Sequence, residues 1–255
     1  MTDRSVSTAP QNQLAPKLVA EFIGTFAFVF IGAGAAAIIG DGRGLAGIGA
    51  VALAHGLTIM VFAFAYGDVS GGHFNPAVTI GVLAARAMRL VDAIGYIVAQ
   101  IAGGIAGALV LRGVLGGTAT GLGTPKLAQA LHLGTAVVTI TPEAGFLIEA
   151  VLAFFLVTVV LNTAVSSRST VFAPLAIGMT VSLNILMGGA LTGAPFNPAR
   201  ALGPMVATGN FHDTWLYVAA PIVGGIIAAL VHLVLARMAH DDERTLPATP
   251  AAVTK

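Results

Sequence analysis

The sequence predicts an all-α membrane protein: six transmembrane helices plus two half-helices, arranged as an inverted repeat of three helices. Three observations carry this prediction. The 255-residue chain is 56% hydrophobic and only 9% charged, against about 25% charged in soluble domains. Apolar windows of membrane-spanning length recur along it. An Asn-Pro-Ala triplet occurs twice, at matching places in the two halves.

Composition also excludes several classes. Twelve Lys and Arg against eleven Asp and Glu leave a net charge of +1, too little for a protein that holds nucleic acid through phosphates. The 32 glycines follow no three-residue period, so a collagen is excluded. Without cysteine there is no disulfide framework, thiolate nucleophile or Cys-ligated metal. The polar–apolar alternation of a membrane barrel is missing.

In chain order, residues 1–17 read as a polar cytoplasmic tail with no small-residue cleavage site, so no removable signal peptide is expected. The first two spans are read at Leu18–Ile39 and Ala46–Tyr66, and the third at Ala93–Leu111. After the long connection Gly113–Glu143 come Ala144–Val165, Val171–Leu191 and Trp215–Ala236. Each window is about 20 residues, enough to cross about 30 Å of hydrocarbon as a helix. Residues 18–239 are read as one membrane domain, with repeat one over about 18–112 and repeat two over about 144–239, and 240–255 as a second cytoplasmic tail.

Orientation follows the positive charges. Arg4, Lys17, Arg86, Arg89, Arg168, Arg237, Arg244 and Lys255 fall on one side, and Arg43, Arg112, Lys126 and Arg200 on the other. Eight against four places both termini in the cytoplasm, and six crossings return the chain to its starting side. The membrane expected is the cell (inner) membrane.

The repeat is written in paired motifs. Glu21-Phe-Ile-Gly-Thr-Phe and His73-Phe-Asn-Pro-Ala-Val answer to Glu149-Ala-Val-Leu-Ala-Phe-Phe and Pro195-Phe-Asn-Pro-Ala-Arg. The glutamates lie 128 positions apart and the asparagines, Asn75 and Asn197, 122. An odd number of crossings per copy turns the second copy upside down. Each triplet opens an apolar stretch too short to span, Pro76–Ala85 and Pro198–Ala207, about 15 Å of helix. A single triplet reads as an ordinary Asn N-cap with Pro at the first helical position. Two copies at matching points of an inverted repeat read instead as half-helices meeting N-terminus to N-terminus near the midplane. Non-helical backbone survives there only when buried in protein or lining a wet cavity.

Asn75-Pro76-Ala77 and Asn197-Pro198-Ala199, with Ser70-Gly-Gly-His-Phe before one and Arg200 after the other, resemble the aquaporin (major intrinsic protein) family over about Leu18 to Ala236. The resemblance implies one pore per subunit, a homotetramer in a lipid bilayer, and passive flow of water and small neutral solutes. It also implies that the two asparagines donate to permeating water while the positive helix ends repel cations. A narrower outer gate is implied at His55, Ile185, Ala194 and Arg200. The common water-channel gate has an aromatic in the second span and His in the fifth. This quartet, with Ser182-Leu-Asn-Ile-Leu-Met-Gly-Gly-Ala, is instead similar to the plant tonoplast branch, whose members pass water and often ammonia or urea. Ala201 stands where glycerol channels carry Asp, and none of the four gate residues is aromatic, which disfavours glycerol.

Glu21 and Glu149 sit within spans, where an ionisable group costs about 2.5–3.5 kcal/mol without partners. They are read as acceptors for looped backbone rather than as a proton relay. His73 is read as a loop-packing or pore-lining residue and not a metal ligand, since no second ligand stands at suitable spacing. His132 either joins the gate or is a solvated loop residue. Neither a cofactor nor a metal is expected. A secondary transporter would need coupling carboxylates near the break, and the nearest candidate, Asp68, reads as a span-end residue. An intramembrane enzyme would need a nucleophile and base, and none is paired here.

Overall fold

The computed structural model describes residues 14–39, 44–166 and 169–245. Among the described residues, six helices are long and apolar enough to cross a membrane. The first covers Leu14–Ile39, the second Gly44–Ser70 and the third Leu90–Val114. The fourth runs over Pro142–Val165, the fifth over Ala173–Thr192 and the sixth over Thr214–Thr245. Between spans two and three lies a half-helix at Pro76–Ala84. Its counterpart, Pro198–Thr208, follows span five.

All eight predicted helices are present, and their ends are corrected. The first helix already includes Leu14, so residues 14–17 belong to it and not to a tail. Pro16 sits in the first turn, where its missing N–H breaks no helical bond, and Leu14 and Leu18 both lie over Gly95 of span three. At the other end of the chain, span six continues six residues, 240–245, into the expected tail. Span two extends to Ser70, whose carbonyl and hydroxyl are tied into the loop network described below. Arg4, Arg43, Arg168 and Lys255 lie outside the described residues.

The long third connection contains more order than its composition indicates. A single 3-10 turn, Gly121–Gly123, precedes a two-stranded antiparallel hairpin, Leu131–Leu133 with Ala136–Val138. His132 pairs with Val137 and is exposed on that hairpin. This favours the solvated-loop alternative.

Glycine decides how the helices nest. Spans two and five cross at Gly56 and Gly178, where a Cβ on either would strike the other's carbonyl oxygen. Span one packs on span three, with Gly103 against the Phe22 carbonyl and Gly107 against that of Phe26. Span six packs on span four through Gly224 against the Ala150 carbonyl. These small residues let backbones approach where lipid offers no hydrophobic drive to association. Large apolar side chains such as Val19, Leu53, Val98, Leu147 and Leu183 face outward, as a lipid-facing surface requires.

The half-helices are exchanged between repeats. The second docks on span three, where a Cβ on Gly104 would lie 2.5 Å from the Ala199 carbonyl oxygen. The first docks on span six, where a Cβ on Gly225 would lie 2.6 Å from the Ala77 carbonyl oxygen. Gly104 and Gly225 are 121 positions apart, so one notch serves twice.

Candidate functional site

Both half-helices start as predicted. Asn75 and Asn197 are extended N-caps with Pro next in line. Asn75 Oδ1 accepts from Ala77 N at 2.8 Å. Asn197 Oδ1 accepts from Ala199 N at 3.0 Å and from Arg200 N at 3.2 Å. Their amide groups then reach across the repeat axis. Asn75 Nδ2 donates to the Phe196 carbonyl at 3.1 Å, and Asn197 Nδ2 donates to the Phe74 carbonyl at 2.9 Å. Each primary amide has two N–H donors, so each asparagine binds the opposite loop with one and keeps the other.

The two phenylalanines that receive these bonds have left-handed backbones, φ 48° at Phe74 and 29° at Phe196. Such conformations are strained for a side-chain-bearing residue and persist only when surroundings impose them. Here the surroundings are the buried glutamates. Phe74 N donates to Glu21 Oε2 and Phe196 N to Glu149 Oε2, each at 2.7 Å. Glu21 also accepts from Ser70 Oγ, His73 N and Gln100 Nε2. Glu149 shares a 2.5 Å hydrogen bond with Thr192 Oγ1. Both glutamates accept from the backbone of the loops that precede the half-helices.

Several residues of this network escaped the sequence reading. Tyr96 donates to the Ser70 carbonyl at 2.7 Å, and Tyr217 to the Thr192 carbonyl at 2.9 Å. They are repeat equivalents, as are Ser70 and Thr192, and aligning the two halves beyond the Asn-Pro-Ala triplets would have found them. Gln100 bridges Glu21 and Thr79. A glutamine inside an apolar span is itself a signal of a buried polar partner. His73 Nδ1 lies 3.1 Å from Thr79 Oγ1, and His73 lines the cavity beneath the asparagines. That cavity has room for about one water molecule. Its lining includes His73, Asn75 and Asn197 among apolar side chains such as Ile59, Leu156 and Val181.

Farther along, His55 and Arg200 meet. His55 Nδ1 is 2.9 Å from the Val51 carbonyl. A carbonyl only accepts, so this nitrogen carries the proton and neutral His55 presents Nε2 as an acceptor. Arg200 Nη2 lies 3.5 Å from that nitrogen, and Arg200 Nη1 donates to the Gly123 carbonyl at 2.8 Å. Arg200 Nε is buried without a protein acceptor. Arg200 is thus a buried half-helix residue and not a loop charge, which removes it from the orientation count. Ile185 and Ala194 are buried with Phe28 in one apolar cluster. Phe28 meets His55 edge-on at 5.2 Å, and Gly32 leaves the space that the His55 ring occupies. Phe28 and Gly32 lie in a π-helical turn, Phe28–Ala33, a feature without a sequence signature. The Gly123 carbonyl has none either.

An inverted repeat whose paired half-helices close on one another inside six apolar helices, above a water-sized cavity, defines a multi-pass membrane channel. The chain belongs to the major intrinsic protein family, whose model matches residues 9–232. It is 39% identical over 245 residues to "Aquaporin TIP1-2" of Zea mays, covering 93% of this chain and 92% of that one. It is 40% identical over 220 residues to "Glycerol uptake facilitator protein-like 6" of Lactiplantibacillus plantarum, covering 84% and 94%. The fold matches the aquaglyceroporin of Plasmodium falciparum with a TM-score of 0.73 at 23% identity, over 89% of this chain and 99% of that one. The protein is a passive channel for water or small solutes and not an enzyme.

Proposed function

We propose that the chain conducts water, and beside it ammonia and other small neutral solutes, while excluding protons and ions. One observation carries this reading: each motif asparagine is fixed by a cap and a cross-repeat bond, with one N–H left over at the junction of two helix N-termini. A water that accepts from both must turn its hydrogens outward, which breaks the chain of donors along which a proton hops. The positive ends of the two helices oppose cations at the same point. The test is osmotic light scattering on proteoliposomes beside an internal pH dye. Water permeability well above empty vesicles, without proton flux, is the expected result.

His55, Ile185, Ala194 and Arg200 form the outer selectivity filter in this reading. Arg200 supplies donors, His55 supplies one acceptor, and Ile185 and Ala194 supply an apolar wall and a small residue. Ammonia is about the size of water and can donate to His55. It accepts a single hydrogen bond, which suits a site with an apolar wall. The names of the relatives point both to water and to glycerol, but Ala201 and a filter without aromatics favour the smaller solutes. His55→Phe combined with Ile185→His is expected to abolish ammonia flux and retain water flux. An ammonium-gradient pH assay checks this, and a double mutant that passes as much ammonia as the parent removes these residues from the filter.

With Arg200 set aside, the positive charges still favour cytoplasmic termini. The location in the cell membrane and the homotetramer implied by the family resemblance belong to the same proposal.

A further inference from the structure

The two repeats hold their glutamates unequally. Glu21 and Glu149 are equally buried, with no exposed surface. Glu21 accepts four hydrogen bonds: from Ser70 Oγ at 2.6 Å and His73 N at 2.9 Å on Oε1, and from Phe74 N and Gln100 Nε2 at 2.7 Å on Oε2. That matches the roughly four lone-pair sites of a carboxylate. Glu149 has two partners, Thr192 Oγ1 and Phe196 N. The cause lies in the sequence. Pro195 stands at the equivalent of His73 and has no N–H, and Pro221 stands at the equivalent of Gln100 and has no side-chain donor.

The hydroxyl partners differ in the same sense. Ser70 Oγ accepts from Gly72 N at 3.1 Å and has no acceptor other than Glu21 among the described residues. Thr192 Oγ1 accepts from Ala194 N at 3.1 Å and also lies 3.4 Å from the Gly188 carbonyl. Thr192 can therefore send its proton to Gly188 and accept one from Glu149. We propose that Glu21 is held as a carboxylate and Glu149 as the protonated acid, with its proton in the bond to Thr192 Oγ1. The assignment leaves every donor matched. Four donors meet an anion at Glu21, while at Glu149 Oε1 carries the proton and Oε2 accepts from Phe196 N. An ionised Glu149 would be a buried charge with two donors, a far costlier arrangement.

The ionisable groups in electrostatic reach of Glu149 are Arg200 on the second half-helix and Tyr217 on span six. Neither forms an ion pair with it. The guanidinium is turned to the Gly123 carbonyl and His55, and the phenol donates to the Thr192 carbonyl. A neutral Glu149 leaves the charge of Arg200 uncompensated, so the outer half of the path is positive. Under the filter reading above this strengthens cation exclusion; the protonation state itself does not depend on that reading.

Infrared spectroscopy on the full-length protein in lipid at neutral pH is the test. A buried carboxylic C=O stretch, sensitive to D2O, is expected in the parent and should vanish in Glu149→Gln. The Gln variant can accept from Phe196 N and donate to Thr192, so it is expected to assemble and melt within a few degrees of the parent. In Glu21→Gln any amide orientation sets an NH2 group against the backbone N–H of His73 or of Phe74, so a large loss of thermal stability is expected. A parent without the acid band, a band that survives Glu149→Gln, or equal damage from both variants overturns the assignment. None of these outcomes depends on which solute passes, so failure here is distinct from failure of the flux assays.

Discussion

Arg200→Val is expected to retain water flow and to open the channel to cations, protons and larger neutral solutes. In the proposed filter the variant removes the fixed charge and also widens the opening. At an effective dielectric of about 20, a unit charge a few ångströms from a passing cation contributes about 3 kcal/mol to its barrier. Losing that raises cation flux about a hundredfold. The fold should survive the change. The guanidinium makes a single hydrogen bond to backbone, at Gly123, its Nε has no protein acceptor, and the Asn197 cap uses the backbone N–H of residue 200. Paired osmotic and ion-flux measurements on the same proteoliposomes check this. Selectivity equal to that of the parent takes Arg200 out of the filter.

Gly104→Leu should prevent assembly. A Cβ added at Gly104 would lie 2.5 Å from the Ala199 carbonyl oxygen, and on the facing side Gly203 lies against the Gly104 carbonyl. Neither obstacle is a flexible side chain that can move aside. Overpacking costs about 1–3 kcal/mol where side chains can adjust, and here a half-helix would have to undock with its asparagine cap. The expected result is loss of the folded peak on size-exclusion chromatography, or a large fall in melting temperature with loss of water flux. Gly113→Leu in the same helix meets nothing within 4 Å and should leave both unchanged. If the two variants behave alike, the backbone contact is not what seats the half-helix.

The two glycines show where sequence reading stops. Gly103, Gly104, Gly107, Gly224 and Gly225 each admit a close helix crossing, but residue type does not say what each one crosses. Gly104 and Gly225 receive half-helices from the opposite repeat, and that exchange follows from the inversion only once the chain is packed.

Six spans, two half-helices, the inverted repeat and the two caps were determined by the sequence alone. Each rests on a local rule: the length of apolar runs, proline after a capping asparagine, and an odd number of crossings per copy. The pairing of Asn75 with Phe196, of Asn197 with Phe74 and of Arg200 with Gly123 was decided by tertiary structure. In each pair the acceptor is a backbone carbonyl, which every residue has, so no side-chain pattern could announce it. The same holds for the added turn 14–17 of span one, whose Leu14 lies over Gly95 of span three. Residue types specified which donors and acceptors exist in the bilayer, and packing decided which of them are left free at the junction of the half-helices.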